Sequence, residues 1–268
     1  ARGWSEATEN TALQTAQFAG VVHGASFFDP AFFDVSRSET AAMDPQQRLI
    51  LEHGYDALHS AGWDKMALQG TTVGVEVGVY ATDFHEILMK APAGGGVYAA
   101  TGAALSIVSG RLSYALGMLG PSVSVDTACS SALVAVQYAT NQMWSPTTSA
   151  LLQNLPARES HLAAGVNLLL VPSPSLVMAA AGMTSSSGRS YTFDRRANGF
   201  VRGEACLAVM LVSASKPCHH RKCHASSGAR TPRGEIKSAA VRQDGKSASL
   251  TAPNGQAQQQ LLRASLQV

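Results

Sequence analysis

Cysteine, aromatic and charged residues are all scarce in this chain of 268 residues. Its four cysteines are too few for a disulfide framework, which favours a reducing compartment. Only 14% of the residues are charged and the formal net charge is +2, so the chain has no general attraction to nucleic acid or an anionic membrane. No window approaches the roughly 18 uninterrupted apolar residues of a membrane helix. We therefore expect a soluble, cytoplasmic protein with no nucleic-acid or membrane partner.

Signals for several common functions are missing as well. No G-x-S-x-G sequence occurs, so the nucleophile turn of a serine hydrolase is not supported. The first twenty residues contain no continuous apolar segment and begin with Ala, so we expect neither a secretory signal nor an intact translation start. What the chain does have is a hydrophobic content of 46%, which supplies an ample core for one large domain or two small ones.

The hydrophobic pattern indicates strands that alternate with helices. Asp44 fits an N-cap, Pro45 the first helical position, and apolar residues then recur at helical spacing until Gly62 ends the pattern. A second helix is predicted from residue 130 onward. The predicted strands are 73–80, 121–126, 162–171 and 205–212. This alternation predicts an α/β sandwich.

Two segments interrupt the pattern. Residues 145–160 contain two prolines and a polar centre between a helix and a strand, so we expect a surface insertion. Residues 216–246 hold eight Lys or Arg against two acids, and within them 216–235 predict a divergent basic loop. A nucleic-acid contact there is disfavoured because the stretch has no aromatic residue on which bases could stack.

The basic loop also contains five potential metal ligands within residues 218–224. A structural zinc site usually takes its ligands from two separated turns, and five within seven residues cannot all reach one tetrahedral ion. Basic neighbours further disfavour a cation. We therefore predict a solvated loop and no metal site.

The strongest chemical signal is Cys129, within residues 125–133 (VDTACSSAL). A cysteine among small apolar residues is ordinarily an inert core residue. Cys129, however, falls where a predicted strand turns into a helix, so its sulfur would meet the unpaired N–H groups and positive dipole end of that helix. Such a setting stabilises a thiolate, which is a nucleophile. The small neighbouring residues leave room for an extended substrate, as nucleophilic acyl transfer requires.

Together with the Cys129 motif, further segments give the chain a family resemblance. It resembles the N-terminal portion of a β-ketoacyl synthase domain of modular type I polyketide synthases, in the thiolase-like superfamily. The match covers about residues 26–255, with the motifs in that family's order. The other matching segments are 28–33 (FDPAFF), 43–48 (MDPQQR), 109–114 (SGRLSY), 120–121 (GP), 193–194 with 199–204, and 241–255 (VRQDGKSASLTAPNG).

The resemblance implies a thiolase-like layered α/β/α sandwich, of which residues 1–268 would be a partial domain, mainly its N-terminal half. It implies that Cys129 is the catalytic nucleophile and that Phe200 lines the acyl pocket; a loop Phe that plugs the core is the alternative. The cysteine would take an acyl chain from the phosphopantetheine of an acyl carrier protein. A malonyl-type extender would then lose CO₂ and attack the resulting thioester. The resemblance also implies a homodimer and no directly bound cofactor.

The chain departs from the family in its histidines. Two histidines of the family's C-terminal half promote decarboxylation, and a lysine there belongs to the same network. None of the eight histidines here matches those histidine motifs. The family's opening strand and its glycine turn are also missing ahead of Phe18. We therefore expect both ends to be truncated and the chain alone not to condense. Asp194, Arg202 and Glu204 are expected to form loop-bracing ion pairs rather than to catalyse.

Some alternatives stay open from the sequence. One is a non-catalytic, dimerising thiolase-like subunit, although the retention of Cys129 argues against it. Another is a nucleic-acid binder that uses the basic residues 216–246. Whether the product is a polyketide or a fatty acid is also open, and the DPQQR and TACSSA forms favour a polyketide.

Overall fold

The fold is that of a computed structural model, which describes residues 14–80, 83–144, 160–213 and 232–266. Its strands are β1 (Ala19–Gly20), β2 (Gly74–Val79), β3 (Ser122–Val125), β4 (Ser160–Asn167), β5 (Arg202–Gly203) and β6 (Ala205–Val212). Its helices are α1 (Arg37–Ala42), α2 (Pro45–Ser60), α3 (Lys65–Leu68), α4 (Asp83–Lys90), α5 (Ala99–Gly102), α6 (Ile107–Leu116), α7 (Ser131–Trp144), α8 (Ser173–Ala180) and α9 (Gly255–Leu266). Short 3₁₀ turns span Pro92–Gly95 and Ala128–Ser130.

Four strands form the larger sheet, in the order β3-β2-β4-β6. β2 runs parallel to both β3 and β4, with Val75 opposite Ser122 on one side and Leu162 on the other. β6 closes one edge antiparallel to β4, and β1 forms a two-stranded parallel pair with β5. Parallel strands need long crossover connections, and helices supply them between β2 and β3. The predicted alternation of strands and helices is therefore confirmed.

Helices cover both faces of this sheet. On one face Leu162 packs against α2 and α6, where Gly54 leaves room for the side chains of Leu112 and Leu162. The main hydrophobic core lies there and includes Val75 and Val77 of β2. On the opposite face, α7 lies against β2 and β4. Because successive strand residues point to opposite faces, the sheet divides a large apolar core from a face that seats α7.

The helix predicted after Asp44 is confirmed as α2. The Asp44 carboxylate accepts a hydrogen bond from the Gln46 N–H at 2.8 Å, and Pro45 occupies the first helical position. Proline is tolerated there because the N–H that it lacks would have no partner within the helix. The strands predicted at 73–80, 121–126 and 205–212 are present as β2, β3 and β6.

One predicted strand ends earlier than its apolar sequence indicates. The run 162–171 predicts a strand, but β4 stops at Asn167. Beyond it, the N–H groups of residues 168–170 donate to side-chain oxygens at 3.0 to 3.2 Å. The acceptors, in order, are Gln46, Glu204 and Asp83. These side chains accept the backbone hydrogen bonds that a neighbouring strand would otherwise accept. The strand can therefore end although the sequence that follows is still apolar.

The two irregular segments lie mostly outside the described residues. Of the insertion predicted at 145–160, Ser160 is described, as the first residue of β4. Of the basic loop predicted at 216–235, residues 232–235 are described and are exposed. Both assignments therefore stay predictions, as does the assignment of 218–224 to a loop without metal.

Two features, a membrane-spanning helix and a metal site, are absent from the described residues. Across the described ranges, no helix combines the length and apolar character that crossing a bilayer requires. Within the same ranges, no three His, Cys, Asp or Glu side chains are grouped so that they could hold a metal ion.

Candidate active site around Cys129

Cys129 lies where the sequence predicts it, between a strand and a helix. β3 ends at Val125, the 3₁₀ turn Ala128–Ser130 follows, and α7 begins at Ser131. The Cys129 side chain is exposed and its thiol is free. The turn therefore presents a reactive group to solvent at the amino end of a helix of 14 residues.

The backbone of this turn is strained at Ala128. Its φ is 56°, in the left-handed region, where an L-residue with a Cβ atom is disfavoured by about 1–2 kcal/mol. Such a conformation persists when the surrounding structure holds it in place. We therefore expect specific contacts that hold Ala128 in this conformation.

Three side chains supply those contacts. The Asp126 carboxylate accepts a hydrogen bond from the Ala128 N–H at 2.9 Å. The Ser131 hydroxyl accepts from the Thr127 N–H at 2.8 Å and donates to the Ala128 carbonyl at 2.7 Å. The Ser130 hydroxyl donates to the Thr127 carbonyl at 2.9 Å. Together these bonds hold both residues that lead into Cys129.

Two glycines of the sheet let α7 approach closely. A Cβ atom at Gly78 of β2 would lie 2.4 Å from the Ala132 nitrogen and from the Ser131 carbonyl carbon. A Cβ atom at Gly165 of β4 would lie 2.5 Å from the Ala132 Cβ. Either contact is far shorter than the usual carbon–carbon separation of about 3.5–4.0 Å. The first turn of α7 thus packs directly against the backbone of β2 and β4. The Cys129 turn, which leads into α7, is positioned by the same contact.

The electrostatics at this point favour negative charge. Within the described part of the chain, the Cys129 N–H has no hydrogen-bond partner. The first N–H groups of a helix carry partial positive charge, equivalent to about half a proton charge for a full helix. An anionic oxygen beside the Cys129 N–H is therefore stabilised, as in the oxyanion sites of acyl-transfer enzymes.

Cys206 provides an internal comparison. It lies on β6 and is partly buried against the main core. Burial, with a smaller contribution from the negative charge of Glu52, raises the pKa of the Cys206 thiol to about 12. At that pKa Cys206 is an inert thiol at neutral pH. The two cysteines also differ in exposure, since Cys129 is exposed.

Phe200, the predicted acyl-pocket residue, lies in a braced loop just before β5. Its N–H donates to the Met183 carbonyl at 3.0 Å, and its carbonyl accepts from the Ser185 N–H at 2.9 Å. The Phe200 side chain is 38% exposed, so it is not a fully buried plug of the core. Among the described residues no hydrogen bond or ring contact joins Phe200 to Cys129, and its place in an acyl pocket stays a prediction.

The three residues expected to brace loops do so, but mostly without ion pairs. Asp194 forms one, with Arg196, at 2.7 Å. Arg202 is nearly buried and donates to the Ser175 hydroxyl at 2.8 Å. Glu204 accepts from the backbone N–H groups of residues 22 and 169 at 3.0 Å. For Arg202 and Glu204 the expected ion pairs are therefore wrong within the described ranges, because neutral donors and acceptors take their place.

The segments 43–48 and 109–114 are joined by a buried polar network. The Gln47 side chain donates to the Gly102 carbonyl at 3.0 Å and accepts from the Arg111 Nε at 2.6 Å. Arg111 also pairs with Glu39 of α1. These contacts tie α2 to α1, α5 and α6, so the network supports the core rather than the cysteine turn.

A second buried polar pair lies on the sheet face that seats α7. His161 Nδ1 and Glu76 Oε1 are 2.9 Å apart, and both side chains are almost completely buried. Gly74 makes room for them, because a Cβ atom there would lie 2.2 Å from His161 Nδ1. The second carboxylate oxygen of Glu76 has no partner within the described residues, and desolvation raises the pKa of Glu76.

Sequence reasoning missed the roles of Asp126 and Ser131. Asp126 forms a turn with the N–H two residues later, which is a known habit of Asp. The sequence DTA therefore contained a signal for this contact. Ser131 gave no such signal, since its hydroxyl bonds backward to two separate peptide units.

Comparison with known proteins identifies relatives of this site and fold. The family model "Beta-ketoacyl synthase, N-terminal domain" matches residues 2–216. The chain is 40% identical over 246 residues to a component of the phenolphthiocerol/phthiocerol polyketide synthase of Mycobacterium tuberculosis, in an alignment that covers 91% of the chain and 15% of that protein. It is 38% identical over 237 residues to the polyketide synthase component of the lovastatin nonaketide synthase of Aspergillus terreus, covering 88% and 7% respectively.

Solved structures agree. The ketosynthase from module 6 of the bacillaene synthase of Bacillus subtilis 168 matches with a TM-score of 0.69 at 29% identity, covering 92% of this chain and 39% of that one. The fold is thus the thiolase-like α/β fold of ketosynthases, present in part. The ketosynthase class of enzymes agrees with the helix-covered sheet and the cysteine turn described above.

The chain belongs to the β-ketoacyl synthase family. The resemblance to polyketide synthase ketosynthases that the motifs indicate is confirmed. The chain spans 15% or less of these curated relatives and 39% of the solved ketosynthase. A non-catalytic subunit and a nucleic-acid binder, the two other functions that the sequence left open, are not favoured by these relatives.

Proposed function

We propose that this chain supplies the acyl-accepting part of a polyketide synthase ketosynthase, with Cys129 as the nucleophile. One observation carries the proposal: the exposed Cys129 thiol stands on a fixed turn beside its own N–H, which has no partner among the described residues, at the positive end of α7. A nucleophile and a donor for the developing negative oxygen are what acyl transfer to a cysteine requires.

In the proposed reaction, the Cys129 thiolate attacks the carbonyl carbon of an acyl thioester. A carbon–sulfur bond forms while the carbonyl electrons move onto oxygen, which the Cys129 N–H stabilises. The tetrahedral intermediate then collapses and breaks the bond to the donor sulfur. The donor leaves as a thiolate and takes up a proton, and the enzyme is left as an S-acyl cysteine.

The partners follow from the family. The donor is the phosphopantetheine thiol of an acyl carrier protein, and a malonyl-type extender thioester is the second substrate. Phe200 lines the pocket for the acyl chain. A second copy of the chain forms a homodimer, and β3 offers an edge for it, because no strand among the described residues pairs with its outer side.

We expect acyl transfer to this chain but not condensation. Condensation also needs the family's C-terminal histidine motifs for decarboxylation, which this sequence does not contain. The 268 residues alone therefore accept an acyl group slowly and do not form the carbon–carbon bond. We place the protein in the cytoplasm, where its thiols stay reduced.

Acylation by a small thioester tests the proposal. The chain is incubated with hexanoyl-N-acetylcysteamine, and the site of the added acyl group is read by peptide mass spectrometry. We expect a hexanoyl group on Cys129 in the wild type and none at that peptide in Cys129→Ala. Acylation that is spread evenly over all four cysteines, or that leaves Cys129 unmodified in folded protein, would contradict the proposal.

A further inference from the structure

The residue that fixes the Cys129 turn is buried beside it. The Ser131 side chain is 4% exposed. Its hydroxyl is used twice, as an acceptor from the Thr127 N–H at 2.8 Å and as a donor to the Ala128 carbonyl at 2.7 Å. One hydroxyl thus joins two peptide units, and the second of them is the unit that ends in the Cys129 N–H.

The second bond bears on the chemistry of Cys129. The Ala128 carbonyl and the Cys129 N–H belong to the same rigid peptide plane. A hydrogen bond that fixes the carbonyl on one side of that plane therefore fixes the direction in which the N–H points on the other. The Ala128 φ of 56° is a strained value, so without the bond the peptide can rotate to relieve it.

We infer that Ser131 is a positioning residue for acyl transfer: its hydroxyl aims the Cys129 N–H at the oxygen that becomes negative in the transition state. This inference rests on the proposed function, because it gives the N–H a role in thioester attack. Asp126 supports the same residue from the other end through its bond to the Ala128 N–H.

Two reactions of Cys129 separate positioning from structural support. Acylation by hexanoyl-N-acetylcysteamine passes through an oxyanion and needs the N–H, whereas alkylation by iodoacetamide displaces iodide and forms no oxyanion. In Ser131→Ala we expect acylation of Cys129 to slow by about 10- to 100-fold, the effect of a misplaced reacting group, while alkylation changes far less. Ser131→Thr keeps a hydroxyl and should restore most of the acylation rate.

The matched control is Thr140→Ala in the same helix. Thr140 is also buried, and its hydroxyl donates to the Val136 carbonyl at 2.7 Å, away from the turn. Thr140→Ala should lower the melting temperature and leave both rates at Cys129 unchanged. Asp126→Ala changes an exposed side chain. It should slow acylation selectively as Ser131→Ala does, and it replaces that variant if Ser131→Ala does not fold.

Each outcome supports or overturns the inference. Selective loss of acylation in Ser131→Ala or Asp126→Ala supports it. Wild-type acylation in these variants overturns it and leaves the proposed function intact, and so does an equal fall of both rates in step with the melting temperature. If wild-type Cys129 is alkylated but never acylated, the proposed function fails and the inference fails with it.

Discussion

The close contact between Gly165 and α7 allows a quantitative prediction. In Gly165→Ala the new methyl carbon would lie 2.5 Å from the Ala132 Cβ. Since carbon atoms pack at about 3.5–4.0 Å, α7 must move away from the sheet by roughly 1 Å. Overpacking of this kind costs about 1–3 kcal/mol of unfolding free energy. Because Cys129 precedes α7 directly, a shift of that size should also slow its acylation by about 100-fold.

The same geometry predicts a suppressor. In the Ala132→Gly background the clashing methyl group is gone, and the nearest α7 atom to the new side chain is the Ala132 Cα at 3.5 Å, an ordinary contact. The glycine itself weakens the helix by about 1 kcal/mol. The double variant should therefore recover the acylation rate and all but about 1 kcal/mol of the stability.

Urea unfolding followed by circular dichroism measures the stability, and site-resolved mass spectrometry measures the acylation. Gly95→Ala is the control, since a Cβ atom there meets nothing within 4 Å. The reasoning is refuted if Gly165→Ala matches the wild type in both assays. It is also refuted if Ala132→Gly fails to suppress the defect, because the clash would then not be its cause.

Two further predictions concern the buried titratable groups. At pH 8 a thiol of pKa about 12 is ionised in about one molecule in 10⁴, so iodoacetamide should label Cys129 well before Cys206; labelling in the reverse order in folded protein would contradict the environments described. Burial raises the pKa of Glu76 above its ordinary value of 4.5, so the folded state favours the protonated form and wild-type stability should fall as the pH rises through that raised pKa. Glu76→Gln should lack this loss when urea unfolding is followed from pH 4 to pH 8, and parallel curves for the two proteins would refute the assignment.

Much of the site follows from local sequence. The strand over 121–126, the turn at Cys129 and the helix after it are each set by residues close together in the chain, and the structure contains all three. The early end of β4 could not be predicted from local sequence. Its cause is a set of side chains that reach residues 168–170 from distant parts of the sequence.

The sequence partly indicated the close packing of α7 on the sheet. Glycine within a strand often marks a close approach of another backbone, and both Gly78 and Gly165 stand inside predicted strands. What the sequence lacked was the partner, since nothing local indicates that Ala132 lies over Gly165. The role of Ser131 was hidden for a similar reason, because the conformation of Ala128 is a property of the folded turn.

The left-handed turn at Ala128 also limits how this part of the protein can change over time. Branched or bulky side chains are strongly disfavoured at that φ, whereas Gly and Asn adopt it readily. We therefore expect position 128 to accept only a few amino acids without loss of stability, although the residue itself contributes no reacting atom. Backbone geometry thus narrows the choice of side chain directly beside the thiol.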